Sequence, residues 1–205
     1  MHLGFIGSGV LTTLPGIFRA YGQAYPGVRL HLYEPFTARV TGGLLNGTLD
    51  AGILRDGDPS DRLEVTTIYS EPFVAVLPAT HPRALQKTIS TASLRDEPFV
   101  YYPRHAGSRA YEKPLALCEE HGFRPQIVQE ASHWLTILQL IGAGLGVSIA
   151  PACMRRIALP EVVCLPLRDA KVTSNIELAC LKGETRPIVA QFRQIALKQN
   201  DILRP

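Results

Sequence analysis

No stretch of this 205-residue chain approaches the ~18 consecutive apolar residues of a spanning helix, so none of it reads as a membrane segment. The opening Met1-His2-Leu3-Gly4-Phe5-Ile6-Gly7 has no basic region ahead of its short apolar positions, which excludes a signal peptide as the reading of this start. Cysteine is scarce. Cys118, Cys153, Cys164 and Cys180 lie far apart, with no C-x-x-C and no paired Cys/His spacing. That excludes a zinc site and a disulfide framework, and leaves reduced, buried thiols in a cytoplasmic protein as the expectation. Cys153 with Cys164 is the one pair weighed for redox chemistry. Basic runs are also missing, since Arg155-Arg156 is the only adjacent basic pair and the net charge is just +3. A phosphate-binding surface needs clustered basic residues, so nucleic acid is not the expected partner of this piece.

What the chain does have is apolar material, 46% hydrophobic against 19% charged residues, enough for a sizeable core. Its 17 glycines and 16 prolines are spread along the chain and fit many short connections. The first third reads strand, helix, strand, helix, strand. His2 to Gly7 is a short apolar run, and Leu11 to Tyr25 sets Leu14, Ile17, Phe18, Tyr21 and Tyr25 at helical spacing. Val28 to Glu34 alternates as a strand does, Pro35 to Gly47 carries Val40, Leu44 and Leu45 on one face, and Leu49 to Leu54 reads as a buried strand. Such alternation argues a parallel sheet with crossover helices.

Residues 63–69 and 72–78 read as two further strands. After a polar stretch the pattern resumes with a strand at Phe99–Tyr102, a helix at Ser108–His121 and a strand at Gln126–Glu130. A helix follows at Trp134–Ala143 with Leu135, Leu138 and Ile141 inside, then a buried strand at Val147–Ala150. Strands at Val163–Leu167 and Ile176–Leu181 and a helix at Ile188–Asn200 close the chain. The expected class is α/β, with two Rossmann-like lobes joined by a two-strand hinge. Lobe I comprises residues 1–70 and 176–205, and lobe II residues 71–175.

The chemistry gathers at strand-to-helix turns. Gly7-Ser8-Gly9 superficially matches a dinucleotide fingerprint, yet Thr12 stands where a third glycine belongs and only Glu34 is available as the later acidic residue. Backbone N–H groups at a helix start, with the Ser8 hydroxyl, still make a site for a carboxylate, unless Ser8 merely caps its helix. Thr37, after Glu34-Pro35-Phe36, can cap the next helix in the same way. Two more turns follow, Pro103-Arg104-His105-Ala106-Gly107-Ser108 and Ala131-Ser132-His133. If the lobes face each other, four helix N-termini converge on one cleft suited to a small anion. No paired nucleophile and base is evident: Ser148 lacks a G-x-S-x-G elbow, and its hydroxyl is expected to be satisfied within an apolar strand. The six histidines show no H-E-x-x-H or other metal spacing. No catalytic residue, metal or cofactor is expected.

An ordered set of segments carries a family resemblance. Leu3-Gly4-Phe5-Ile6-Gly7-Ser8, Tyr25-Pro26-Gly27-Val28-Arg29-Leu30 and Leu45-Asn46-Gly47-Thr48-Leu49-Asp50-Ala51-Gly52-Ile53 come first. Ala79-Thr80-His81-Pro82, Asp96-Glu97-Pro98-Phe99 and Gly142-Ala143-Gly144-Leu145-Gly146-Val147-Ser148-Ile149-Ala150-Pro151 follow in the same order. Together they resemble the effector-binding regulatory domain of LysR-type transcriptional regulators, in particular members that sense benzoate and muconate. The resemblance implies a periplasmic-binding-protein-like fold with a small organic or aromatic carboxylate between the lobes. It also implies homodimers and homotetramers, and DNA binding by a winged helix-turn-helix that is absent from this chain. Its effector positions fall on Ser8 and Thr37 and on the loop from Arg104 through His105 to Ser108, with Gly9 beside Ser8. Arg55 matches an arginine used near the lobe boundary, and Ser132 joins Arg104 and Ser108 as a second-lobe contributor. The loop at 104–108 lacks the proline-rich segment of the muconate-sensing pattern. A solute-binding protein for a small carboxylate is the first rival reading, and a small-molecule enzyme the second. Thiol sensing within the same family is a third.

Overall fold

The computed structural model describes residues 1–202, the last three by their backbone alone; residues 203–205 of the expected lobe I lie outside the described residues. The chain divides into two compact units, one from Met1–Ser70 together with the segment from Asn175 onward, the other Glu71–Ser174. Sequence placed Asn175 in the second lobe. It belongs with the first unit, where its backbone exchanges hydrogen bonds with Asp56 and its side chain accepts one from Ser70 at 2.8 Å.

The first unit is built from β1 (His2–Phe5), α1 (Leu14–Ala24), β2 (His31–Tyr33), α2 (Thr37–Leu45) and β3 (Ala51–Arg55). The start of β4 (Leu63–Pro78), most of β9 (Thr173–Leu181) and α5 (Pro187–Ile202) complete it. Its strands lie in the order β2-β1-β3-β9-β4, with β1 parallel to β2 and β3 and β3 antiparallel to β9. All five residues of β3 are buried, as expected for a strand covered on both faces. Alternate side chains divide between the faces: Ile53 packs with Leu14, Ile17, Tyr21 and Phe192, and Leu54 with Val40 and Leu44.

Helix α2 sits unusually close to the sheet. Gly4 and Gly52 are register partners on β1 and β3. A Cβ at Gly4 would lie 2.6 Å from Leu49 Cδ1, and one at Gly52 2.4 Å from Val40 Cγ1. The two glycines thus form a bare slot that seats α2 and fixes the height of Thr37 at its first residue.

In the second unit, Phe73–Pro78 of β4 pairs antiparallel with β7 (Ser148–Pro151) and β8 (Val162–Pro166). A separate parallel pair joins β5 (Pro98–Tyr101) to β6 (Gln126–Glu130), with a bulge between Phe99 and Val100. Helices α3 (Ser108–Glu120) and α4 (Trp134–Gly142) complete the unit. His81 donates from Nε2 to Glu97 at 3.0 Å and accepts the Arg83 N–H at Nδ1, so two of the segments singled out in sequence meet here.

Several expectations are corrected. The strands expected at 63–69 and 72–78 are one 16-residue strand. Ser70 and Glu71 looked like a break, but the Glu71 carboxylate is buried and accepts the Cys153 N–H, and the β7 ladder begins at Phe73, so Pro72 forfeits no donor in it. Leu135, expected inside α4, is 54% exposed; Ile137, Leu138 and Ile141 make the buried face. The apolar side of α1 is buried, whereas Leu32 and Tyr33 of β2 face solvent. Helix α1 starts at Leu14, because Gly7–Leu11 forms a 3-10 turn instead.

Candidate functional site

In the first unit three of the anticipated residues form one hydrogen-bonded cluster. Arg55 ends β3 and is buried, and its Nε donates to Ser8 Oγ at 3.0 Å. Thr37 Oγ1 accepts the Arg55 N–H at 3.2 Å and donates to the Arg55 carbonyl at 3.4 Å. Neither hydroxyl is a helix cap: Ser8 lies within the 3-10 turn, and α2 has Phe36 at its N-cap with no side-chain cap. The expected capping by Thr37 fails because its hydroxyl finds both a donor and an acceptor on β3. A Ser8 hydroxyl that accepts from a guanidinium is polarised into a stronger donor toward an anion.

Gly9 has a different role from the one expected. Its N–H goes to the Ile6 carbonyl at 2.9 Å, and its carbonyl accepts from Thr12, so that backbone donor is spent on the turn. A Cβ there would meet Leu14 Cδ1 at 2.6 Å, and close packing of the turn on α1 is what requires glycine.

Sequence reading missed the group that anchors Arg55. Asp56 follows it with a φ of 44° and is buried; its N–H donates to the Asn175 carbonyl at 3.0 Å, and its carboxylate accepts the Asn175 N–H at 3.1 Å. The Gly57 N–H donates to Glu177 at 2.7 Å. These pairings span over a hundred residues and leave no local pattern, apart from aspartate's tolerance of the left-handed region.

In the second unit, Arg104 is on the surface, its Nε paired with Glu112 of α3 at 2.8 Å. His105 is exposed, Ser108 opens α3 behind Gly107, and Ser132 is exposed two residues before α4. The turns holding Arg104 and Ser132 are brought together by the Ala131 N–H on the Tyr101 carbonyl at 2.9 Å and by a Tyr102–Trp134 ring contact at 5.5 Å.

An unanticipated device fixes that corner. Pro114 lies inside α3 and has no N–H for the carbonyl of Ala110, four residues back. The Tyr102 hydroxyl donates to that carbonyl instead, and the Tyr101 hydroxyl donates to the next one, of Tyr111, at 3.3 Å. Burial pushes the Tyr101 hydroxyl well above its ordinary range, and that of Tyr111 up as well, which keeps both protonated. The signal for this arrangement was a helix-interior proline.

A family model described as LysR substrate binding domain matches residues 1–201. The chain belongs to the LysR substrate-binding domain family. The domain is 31% identical over 194 residues to AlsR of Bacillus subtilis, an HTH-type transcriptional regulator, covering 95% of this chain and 64% of AlsR. It is 30% identical over 183 residues to the HTH-type regulator BenM of Acinetobacter baylyi, covering 87% of this chain and 60% of BenM. It therefore spans under two thirds of either relative. The structure of the BenM effector binding domain with its effector benzoate superposes with a TM-score of 0.86 at 26% identity, covering 100% of this chain and 95% of that one. These likenesses bear out the expected periplasmic-binding-protein-like α/β fold.

Elsewhere the LysR substrate-binding domain offers little reactive chemistry. Among the described residues no group of three or more His, Cys, Asp or Glu side chains is placed to hold a metal, and no helix is long and apolar enough to cross a membrane. None of the four cysteines is joined in a disulfide. Burial pushes the Cys118 thiol up to about 12 and raises those of Cys164 and Cys180. Ser148 is fully buried and its Oγ has no hydrogen-bond partner, against the expectation of a satisfied hydroxyl. It pairs with Val76 on an apolar strand that offers it nothing else.

Proposed function

We propose that this domain is the sensor of a LysR-type transcriptional regulator, and that it binds a small organic anion through the Ser8–Thr37–Arg55 cluster. The observation that carries the reading is the buried Arg55 guanidinium bonded to Ser8 Oγ, with Thr37 locked onto the same residue. A buried cation beside the polarised Ser8 hydroxyl matches a carboxylate. The likeness to a BenM domain with benzoate supports an aromatic carboxylate as the first probe. In the second unit, taken by itself, Arg104, His105, Ser108 and Ser132 are the proposed effector contacts, and in the first Gly9 supports Ser8 by packing.

The domain acts by binding rather than turnover. An effector shifts an equilibrium only by its differential affinity for two states, and the states here are arrangements of homodimers and homotetramers in the cytoplasm. DNA is contacted by a preceding winged helix-turn-helix, in keeping with two relatives named HTH-type regulators that extend beyond this chain. The test is a thermal-shift and calorimetric titration with benzoate. Saturation at 100 times the dissociation constant adds about 2.7 kcal/mol to stability. Ser8→Ala weakens binding by roughly 1–2 kcal/mol, measured on a domain that still unfolds cooperatively although its melt is lowered, because Arg55 Nε also loses an acceptor. Equal affinity in that variant would remove Ser8 from the site, and recovery of a chemically altered acid would revive the enzyme reading.

A further inference from the structure

We infer that Tyr102 and Trp134 form an aromatic recognition face in the second unit, and that it selects a flat, conjugated carboxylate over a saturated one of the same size and charge. The inference rests on the proposed sensing of a small organic anion and adds the class of ligand.

The sequence contains a single tryptophan. It stands at the first residue of α4, two positions after Ser132, where the buried face of Ile137, Leu138 and Ile141 runs out into the turn. Its ring meets Tyr102 at 5.5 Å and 60°, and Tyr102 meets the edge of Tyr111 at 6.0 Å and 89°. The cluster is graded in burial. Tyr101, stacked on Tyr102 at 4.5 Å, is completely buried, whereas Tyr102, Tyr111 and Trp134 keep part of their surface in solvent.

The polar end of Tyr102 is committed. Its hydroxyl serves the Ala110 carbonyl that Pro114 leaves without a helical donor. What Tyr102 presents is therefore its ring, held in place at one end by the backbone of α3 and along its side by Tyr111. An indole and a phenol tilted at 60° to each other offer an aromatic guest offset or T-shaped contacts, which a saturated ring cannot reproduce. Arg104, His105 and His133 flank the pair in sequence, and Arg104 is held by Glu112 at 2.8 Å.

The discriminating probes are benzoate and cyclohexanecarboxylate, alike in charge and ring size but differing in the π face. Calorimetric titration of the whole domain is expected to give benzoate a dissociation constant roughly three- to tenfold lower. Trp134→Leu should bring the ratio close to one by weakening benzoate alone, and Trp134→Phe, which keeps a π face, should retain most of the preference. Emission from the sole tryptophan should change with benzoate in the wild type. Equal affinity for the two acids, or a ratio that survives in a folded Trp134→Leu variant, would overturn the inference and leave anion sensing intact. Should Trp134→Leu not fold, loss of the preference in Trp134→Phe would count against it. Binding of neither acid would overturn the sensing proposal along with this one.

Discussion

The carbonyl of Ala110 gives a test of how this domain tolerates a proline in the middle of a helix. Ala110 is buried, and in an unbroken α3 its carbonyl would take the N–H of residue 114. Pro114 removes that donor and the Tyr102 hydroxyl replaces it. Tyr102→Phe deletes the replacement while keeping the ring, so the carbonyl is left without a partner at a cost of about 1–2 kcal/mol. In a Pro114→Ala background the restored N–H should satisfy the carbonyl, and the same Tyr102→Phe change should then cost less than about 0.5 kcal/mol. The two substitutions are thus coupled by about 1 kcal/mol or more, whatever Pro114→Ala does by itself. Urea unfolding of the four proteins, followed by circular dichroism, measures the cycle. Additive effects would refute the reasoning and reduce Tyr102 to a packing residue.

Further outcomes follow from other sites. Ser148→Ala removes a buried hydroxyl that has no partner, and should be neutral or stabilising by up to about 1 kcal/mol in the same assay; a clear loss would mean the hydroxyl is satisfied. For Asp169, burial alone would raise the carboxyl, but hydrogen bonds from the Thr91 N–H and hydroxyl and the charge of His121 outweigh it and hold it below its usual range. A depressed folded value means that the stabilisation is present above the unfolded carboxyl range near pH 4 and is lost as pH falls through the folded value. Asp169→Asn should accordingly flatten the acid limb of a stability-against-pH curve, and an unchanged limb would discount the network. Cys118, Cys153 and Cys180 are buried and Cys164, expected to be so, is half-buried; the thiols should resist oxidation, so intact mass after mild peroxide should show no loss of two hydrogens, and such a loss would bring back the Cys153–Cys164 redox reading.

Much of the architecture was legible because it is written in local periodicity. Strand β6 falls on Gln126–Glu130 as read, and the helices keep their places with ends shifted by a few residues. What failed depended on distant partners. The long β4 looked broken because Ser70, Glu71 and Pro72 are polar or breaking in isolation, and the groups that satisfy Ser70 and Glu71 lie at Asn175 and Cys153. The burial of Leu135 was misjudged because a short, almost wholly apolar helix gives little clue to which face is inside. At the site, hydroxyls after strands were legible as Ser8 and Thr37, but their shared partner was not. Arg55 read as no more than a boundary residue, and only the pairing of β1 with β3 sets it between them. The tyrosine pair was invisible as a pair, since the reason for it is a proline twelve residues further on.

The glycine slot beneath α2 limits how this domain can be retuned. A helix resting on side chains can be raised or lowered by exchanging larger and smaller core residues beneath it. At Gly4 and Gly52 there is nothing smaller to substitute, and the first carbon added at either position already collides with Leu49 or Val40. The standing height of Thr37 is therefore a main-chain dimension. Variation in what this end of the sheet accepts has to come from the identities of residues 8, 37 and 55 themselves, or from the facing chemistry a ligand brings, and not from drift in the core below.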